Sequence, residues 1–294
     1  MNGEAEAYAL DTRWVRRSFD RASATYDASA VLQREIRSLL LERLDLTALT
    51  PQVVLDAGAG TGAACRALKT RYPKARVLAL DSALGMLRGA AARRSWFRPF
   101  FNVVADAARL PLADGSVDLV MSNFMLPWCD PDTVFAEFRR VLAPRGFLTF
   151  SSLGPDTLKE LREAWAEVDS HSRVLQFIDM HDLGDALVRA GFIEPVLDVE
   201  RYTLEYTDVR ALAQDLKAVG ARNATAGRLK GLTGPRKFAA MEAAYEVHRR
   251  AGRLPATSEV VFGQAWSPVA SVARPDGAGI SLEDLRSQLP TRRR

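Results

Sequence analysis

Asp56 stands two residues before Gly58 in the stretch VVLDAGAGTG (53–62), and Gly60 and Gly62 follow at the same spacing. Glycines in that rhythm let a backbone turn sharply and approach a ligand without interference from a Cβ. With Ala63 the stretch also satisfies GxGxxA, the fingerprint of loops that hold a dinucleotide pyrophosphate. A carboxylate at Asp56 would repel that anion across the loop, and it favours a cationic ligand instead. S-adenosyl-L-methionine carries both an α-ammonium and a sulfonium, and it suits such a site.

Two further acids fall at comparable places. Asp81 closes the apolar run VLALD (77–81), where an acid accepts both ribose hydroxyls, a feature shared with NAD enzymes. Asp106 falls near the end of FNVVADA (101–107), where it could accept the adenine amino group, with Ala107 supplying a backbone donor. Each acid taken alone also suits a helix N-cap or a turn. Three acids at the ends of three successive strands are poorly explained that way.

The elements that must hold these residues follow from periodicity. Apolar runs at 53–57, 77–81, 101–107, 117–124 and 147–152 read as strands, and amphipathic helical stretches separate them (63–72, 84–93, 131–142). Strand and helix in alternation predict a doubly wound, mostly parallel α/β sheet with ligands at the carboxyl ends of its strands. Upstream, residues 12–45 read as helical, with a basic stretch from Arg13 to Arg21. Downstream, TLKELREAWAEV and HDLGDALVRAG read as helices and 194–206 as a long strand. Residues 208–252 read as wholly helical apart from GLTGP (231–235), and 258–266 as a closing strand. The expected organisation is a helical lid (1–49), a cofactor-binding core (50–206), a helical insertion on the substrate side (207–257) and the last core strand (258–266). The tail 267–294, rich in Pro, Gly and Ala at its start, is expected to be disordered.

Bulk properties narrow the class. The 294 residues include 48% apolar and 26% charged side chains, which excludes a disordered chain. A net charge of +4 is mildly basic and compatible with an acidic partner. Cys65 and Cys129 form no CxxC pair, which suggests a reducing compartment, and the three histidines lack metal-ligand spacing, so no metal is expected. No run approaches the roughly 20 apolar residues of a membrane span. Glu4 and Glu6 argue against a secretory signal or a mitochondrial transit peptide, so a cytoplasmic location is expected.

In this core the sequence resembles the class I methyltransferase superfamily, whose glycine-rich first motif matches Asp56–Gly62, Thr61 included, and whose later acids match Asp81 and Asp106. The resemblance implies that Ser82 and Met86 border the ribose and adenine and that Asn123 lies near the methionine moiety; Met86 fits core packing on its helix equally well. The flanks are narrower in their likeness. SFDRASATYD (18–27) resembles the lid helix of the malonyl-acyl carrier protein O-methyltransferases of biotin synthesis. So do the segment from Ser122 to Trp165, HDLGDALVRAGF, LKAVGARN and GRLPATSEVVFGQAW, so that the likeness spans about residues 14–266. Pro127 before Trp128, and Asp130-Pro131 after it, depart from the family's pattern.

The resemblance implies methyl transfer to the free carboxylate of a malonyl thioester on acyl carrier protein, with malonyl-coenzyme A as a second carrier to consider. Such a carboxylate is ionised at neutral pH and needs no general base, only orientation and desolvation. Tyr26 and the lid arginines Arg16, Arg17 and Arg21 are the candidate donors, and Trp128 a candidate wall. Arg222, Arg228, Lys230, Arg236 and Lys237 form a candidate surface for the acidic carrier. No nucleic acid or membrane partner is expected. Relatives with a similar C-terminal signature assist assembly of respiratory complex I, so a factor acting on a protein partner is a second reading. Methylation of a quinone or phenol is a third, for which no base is recognisable.

Overall fold

Alternation of side chains along each strand lets a central sheet bury both of its faces, and this chain uses that alternation. The computed structural model describes residues 10–228, 231 and 233–269. Its strands are β1 (Val53–Ala57), β2 (Arg76–Asp81), β3 (Phe101–Val104), β4 (Val117–Asn123), β5 (Leu142–Leu153), β6 (Ile193–Tyr206) and β7 (Leu254–Trp266). They form one seven-stranded sheet in the order β3-β2-β1-β4-β5-β7-β6. The first five are parallel, and β7 runs antiparallel to both β5 and β6. The strand order reverses between β1 and β4, and the crevice above such a reversal is where open sheets bind ligands.

The helices are α1 (Thr12–Ala22), α2 (Tyr26–Ser29), α3 (Val31–Arg43), α4 (Ala63–Arg71), α5 (Leu84–Ala92), α6 (Pro131–Val141), α7 (Lys159–Ala166), α8 (Met180–Arg189), α9 (Val209–Ala218) and α10 (Pro235–Tyr245). Val54 and Leu55 show how they are used. Val54 packs on one face with Ile36 and Leu40 of α3, Leu68 of α4 and Leu87 of α5. Leu55 packs on the other with Phe135 and Phe138 of α6 and Leu187 of α8. Each such fully buried side chain contributes roughly 1.5–3 kcal/mol. A third, smaller core joins Trp165, Leu212, Met241 and Tyr245 under the segment that separates β6 from β7.

The helical expectation for residues 12–45 resolves into three helices. Thr25 breaks the run by donating its hydroxyl to Ala22 O and Ala218 O at 3.1 and 2.9 Å, a local bond that competes with helix propagation. The expectation for residues 208–252 needs a larger correction, because α9 ends at Ala218 and α10 begins only at Pro235. Asn223 accepts from Thr225 N and donates to Ser172 O, which holds the residues just after α9 in an irregular course. The third strand is also shorter than expected: it stops at Val104, and Asp106 lies in the turn beyond, accepting from Ala108 N at 2.9 Å. Of the expected disordered tail, 270–294 lies outside the described residues.

The irregular stretch after α9 is tied to the start of the described chain. Leu10 and Thr225 form an isolated antiparallel bridge, Asp11 N donates to Ala224 O at 2.8 Å, and Arg228 pairs with Asp11 at 3.1 Å. The Arg228 guanidinium also lies 4.9 Å from the Trp14 ring centroid. Helix α1 is thereby fixed across the carboxyl ends of the strands, with Gly85 N of α5 donating to Asp20 at 2.8 Å. Among the described residues, no helix is long and apolar enough to cross a membrane.

Candidate active site

Two hollows meet at the carboxyl end of β1. The first, about 300 Å³, lies between α1 and the ends of β2, β3 and β4. The second, about 220 Å³, lies between α3 and the glycine loop. Tyr26, Gly58, Gly60 and Asn123 line both, so they form two compartments of one groove, with the Tyr26 ring as the partition.

The loop between β1 and α4 owes its course to specific glycines. Gly58 takes φ +76°, and a Cβ there would come within 2.6 Å of Met125 Cβ, so only glycine lets the loop pass beneath the segment after β4. Gly62 takes φ +75°, and its Cβ would meet Ala90 and Phe100 at 2.9 Å. Gly62 lines neither compartment, and its missing Cβ permits the close packing of α4 on Ala90 of α5 and on Phe100. Gly58 N and Ala59 N both donate to Leu80 O at 2.9 Å, which locks the loop to β2.

Asp81 lines the first compartment and already accepts from Gly60 N at 2.9 Å and Ala83 N at 2.8 Å. Burial raises its pKa above the ordinary value, and those backbone donors work against the rise. Each carboxylate oxygen keeps a lone pair for a further donor. Ser82, Met86, Asp106 and Ala107 line the same compartment, with Met86 buried and Ser82 and Asp106 exposed.

Asp56 faces the second compartment instead. It is 1% exposed and accepts the Cys65 thiol at 3.0 Å. Burial pushes its carboxyl up to about 6 and also raises the Cys65 thiol. Thr61 lines the second compartment and donates to Asp27 at 2.6 Å, and Asp27 is also paired with Arg93. Asn123 stands at the junction, but its amide is committed to the fold, donating to Gln33 O at 2.9 Å and accepting from Ser151 Oγ at 2.8 Å. Phe124 beside it holds φ +55°, a conformation that costs a non-glycine residue about 1 kcal/mol, and its N–H is held by Ser151 Oγ at 3.1 Å.

The Tyr26 phenol is held well above its ordinary pKa, first by burial and then by Asp81 and Asp27. It stays neutral and can donate a hydrogen bond, but it is no base. Trp128 ends a short 3-10 turn (Leu126–Trp128) beyond β4 and walls the first compartment. Arg21 does not reach this space: it is exposed, 6.0 Å from the Trp14 ring centroid, and absent from the lining, as is Arg17. The arginines that do line it are Arg13 and Arg16, both exposed at its rim. Among the described residues neither is engaged in an ion pair or a hydrogen bond.

The expected basic surface is not one free patch. Arg228 is taken by Asp11 and Trp14, and Lys237 by Asp169 at 3.0 Å, which Arg173 also holds. Arg222 lines a hollow between α9 and α10, Arg236 is exposed, and Lys230 lies outside the described residues. Sequence reasoning passed over Arg13, Gln33, Arg34 and Arg37. The last three share one face of α3 at helical spacing, a signal present in QREIR once the apolar Ile36 and Leu40 are assigned to the adjoining, buried side.

A family described as a methyltransferase domain matches residues 55–150. Over 280 residues the chain is 56% identical to the malonyl-(acyl-carrier protein) O-methyltransferase of Methylovorus sp. (strain MP688), covering 93% of this chain and 95% of that one. It is 51% identical over 294 residues to the protein of the same description from Laribacter hongkongensis (strain HLHK9), covering 97% and 99%. Among solved structures, the YcgJ protein from Bacillus subtilis superposes with a TM-score of 0.57 at 14% identity, covering 80% of this chain and 99% of its own. A Bacillus halodurans C-125 protein does so with a TM-score of 0.56 at 19% identity, covering 79% and 99%. At those identities the structural likeness speaks for the fold alone.

Proposed function

The chain belongs to the malonyl-(acyl-carrier protein) O-methyltransferase family, and on that premise we propose that it transfers a methyl group from S-adenosyl-L-methionine to the free carboxylate of a malonyl thioester on acyl carrier protein. The product is a malonyl methyl ester, whose masked charge lets fatty-acid enzymes extend it toward pimelate for biotin.

The residues of the groove fit this cofactor. Gly58 and Gly60 leave the loop without side chains where the two compartments meet, Asp81 keeps lone pairs for a ribose diol, and Asp56 places a carboxylate where the ligand is cationic. The bound cofactor supplies an electrophilic methyl group on a sulfonium. Everything else falls to the chain.

The observation that carries the reading is the pair of arginines without an ion pair among the described residues, Arg13 and Arg16, that α1 places in the lining of the first compartment. A malonyl carboxylate needs no proton removed, so catalysis consists of holding one oxygen in line and keeping water away. Arg13 and Arg16 supply charge-assisted donors for that carboxylate, and neutral Tyr26 supplies one more. Phe19 and Trp128 exclude water. Esterification removes the charge, so the product loses the contacts that held the substrate. For the acidic carrier, Arg222 and Arg236 are the cations of the expected surface that make no ion pair among the described residues.

The test is intact-mass measurement of malonyl-acyl carrier protein after incubation with the chain and cofactor, with malonyl-coenzyme A in parallel. A gain of one methyl group on the carrier is expected. No gain on either thioester, with cofactor binding verified, would overturn the proposed substrate.

A further inference from the structure

A third hollow, about 330 Å³, lies outside the groove, between α9 and α10 and against α7. Its lining is largely apolar: Leu212 and Met241 are buried there, and Leu216 and Phe238 partly so. Lys217 and Arg222 line it too, the first exposed and the second half-buried. Among the described residues neither side chain is engaged in an ion pair or a hydrogen bond. The two acids that α9 and α10 carry are spent elsewhere. Asp215 accepts the Tyr206 hydroxyl at 2.8 Å, and Glu242 pairs with Arg210 at 2.8 Å. Apolar surface edged by free cations is complementary to an acidic helix that carries a protruding apolar side chain.

The hollow shares no lining residue with the groove, yet α9 ends against α1. Ala218, the residue after Lys217, accepts the Thr25 hydroxyl at 2.9 Å. Gly220 holds φ +77°, and a Cβ there would come within 3.0 Å of the Phe19 ring and 3.2 Å of Ala22. Phe19 in turn lines the first compartment. A protein seated on the hollow therefore stands beside the compartment without entering it, and a thioester on a long pantetheine arm spans the interval.

We propose that the acyl carrier protein docks on this hollow, setting an acidic helix against Lys217 and Arg222 and an apolar side chain over Leu216 and Phe238. The assignment rests on the malonyl carrier as the substrate and gives the body of the carrier a place apart from the reacting carboxylate. A contact steered by charge is readily reversed, as a carrier exchanged at every turnover requires.

Steady-state kinetics of the full chain on two substrates test it: malonyl-acyl carrier protein, and malonyl-pantetheine, which keeps the arm and lacks the protein. Lys217→Glu combined with Arg222→Glu should raise KM for the carrier substrate roughly 10-fold at low salt with little change in kcat, and added salt should shrink the difference. Ala213→Glu, at an exposed position of the same hollow, should raise that KM as well. KM for malonyl-pantetheine should stay within about twofold in both variants, which also shows that they are folded. Equal losses on both substrates, or an unchanged KM for the carrier, would overturn the docking site and leave the methyl transfer standing. Loss of a wild-type dimer in sedimentation, with the carrier KM unchanged, would give the hollow to a second copy of the chain instead. A wild-type chain that methylates neither substrate, with cofactor binding verified, would overturn the substrate reading and this site together.

Discussion

The ring of Phe19 on α1 meets that of Trp128 edge-on, with centroids 5.3 Å apart and planes at 83°. Through this contact α1 rests on the wall of the first compartment. Edge contacts of this kind contribute roughly 0.5–1.5 kcal/mol beyond the area they bury. Phe19→Ala and Trp128→Ala should each raise KM for the malonyl carrier several-fold. In a double-mutant cycle the pair should cost about 1 kcal/mol less than the sum of the two. Additive losses in kcat/KM would show that the lid is seated elsewhere.

Arg13 and Arg16 should separate from Arg17 and Arg21 in kinetics. Replacing Arg16 by Gln removes a charge-assisted donor and should lower kcat/KM roughly 10- to 100-fold, with Arg13→Gln similar or smaller. Affinity for S-adenosylhomocysteine should hardly move in either. Arg21→Gln, which alters an exposed side chain outside the compartment, should stay within about twofold. A large effect at Arg21 and none at Arg16 would reverse the orientation assigned to α1.

Asp56 sets ligand binding against stability. Its carboxyl is pushed up to about 6 by burial, from an ordinary 3.8. The folded chain therefore binds the proton more tightly than the unfolded chain, and stability falls as pH rises from about 4 to 6. Asp56→Asn abolishes that titration. The stability of the variant relative to wild type should rise by up to about 3 kcal/mol between pH 4 and pH 7 and then level off. Cofactor affinity at pH 7.5 should meanwhile fall. Urea melts across the pH range check the first effect; a flat difference would show that Asp56 is not the titrating group.

Gly263 of β7 lies directly opposite Phe150 of β5, and a Cβ at Gly263 would come within 2.2 Å of the ring. Gly263→Ala should therefore destabilise the fold by roughly 1–3 kcal/mol, as overpacking does. Adding Phe150→Leu should return part of the loss. A melting temperature unchanged in the single variant would mean that the sheet gives way locally.

Much of the sheet was legible because its signal is local. Short apolar runs ending in Asp81, or passing from Asp56 into glycines, mark strand ends wherever they occur, and the three acids of the groove were found by that route. Residues 12–45 are legible as helical but not in their facing. Arg13, Arg16 and Phe19 recur every three residues and turn to the compartment, whereas Arg17 and Arg21, four apart, turn away; composition treats all four arginines alike. Gly62 was drawn into the ligand loop by its motif, and only the positions of Ala90 and Phe100 give it a packing role. Residues 219–228 escape a helical reading because their course is fixed by Leu10, Asp11 and Ser172, partners remote in sequence that leave no periodic trace.

That remote bridge also fixes an order of events at the ribosome. Helix α1 precedes every strand of the sheet in the chain, yet its anchor at Thr225 and Arg228 lies beyond β6 and is made only after that strand has been translated. A nascent chain stalled before Thr225 can pair β1 with β2 and β4 while α1 lacks this anchor and rests on contacts such as Gly85–Asp20 and Phe19–Trp128. A chain that ends before Thr225 therefore lacks the bridge and the Arg228–Asp11 pair that hold α1 over the carboxyl ends of the strands.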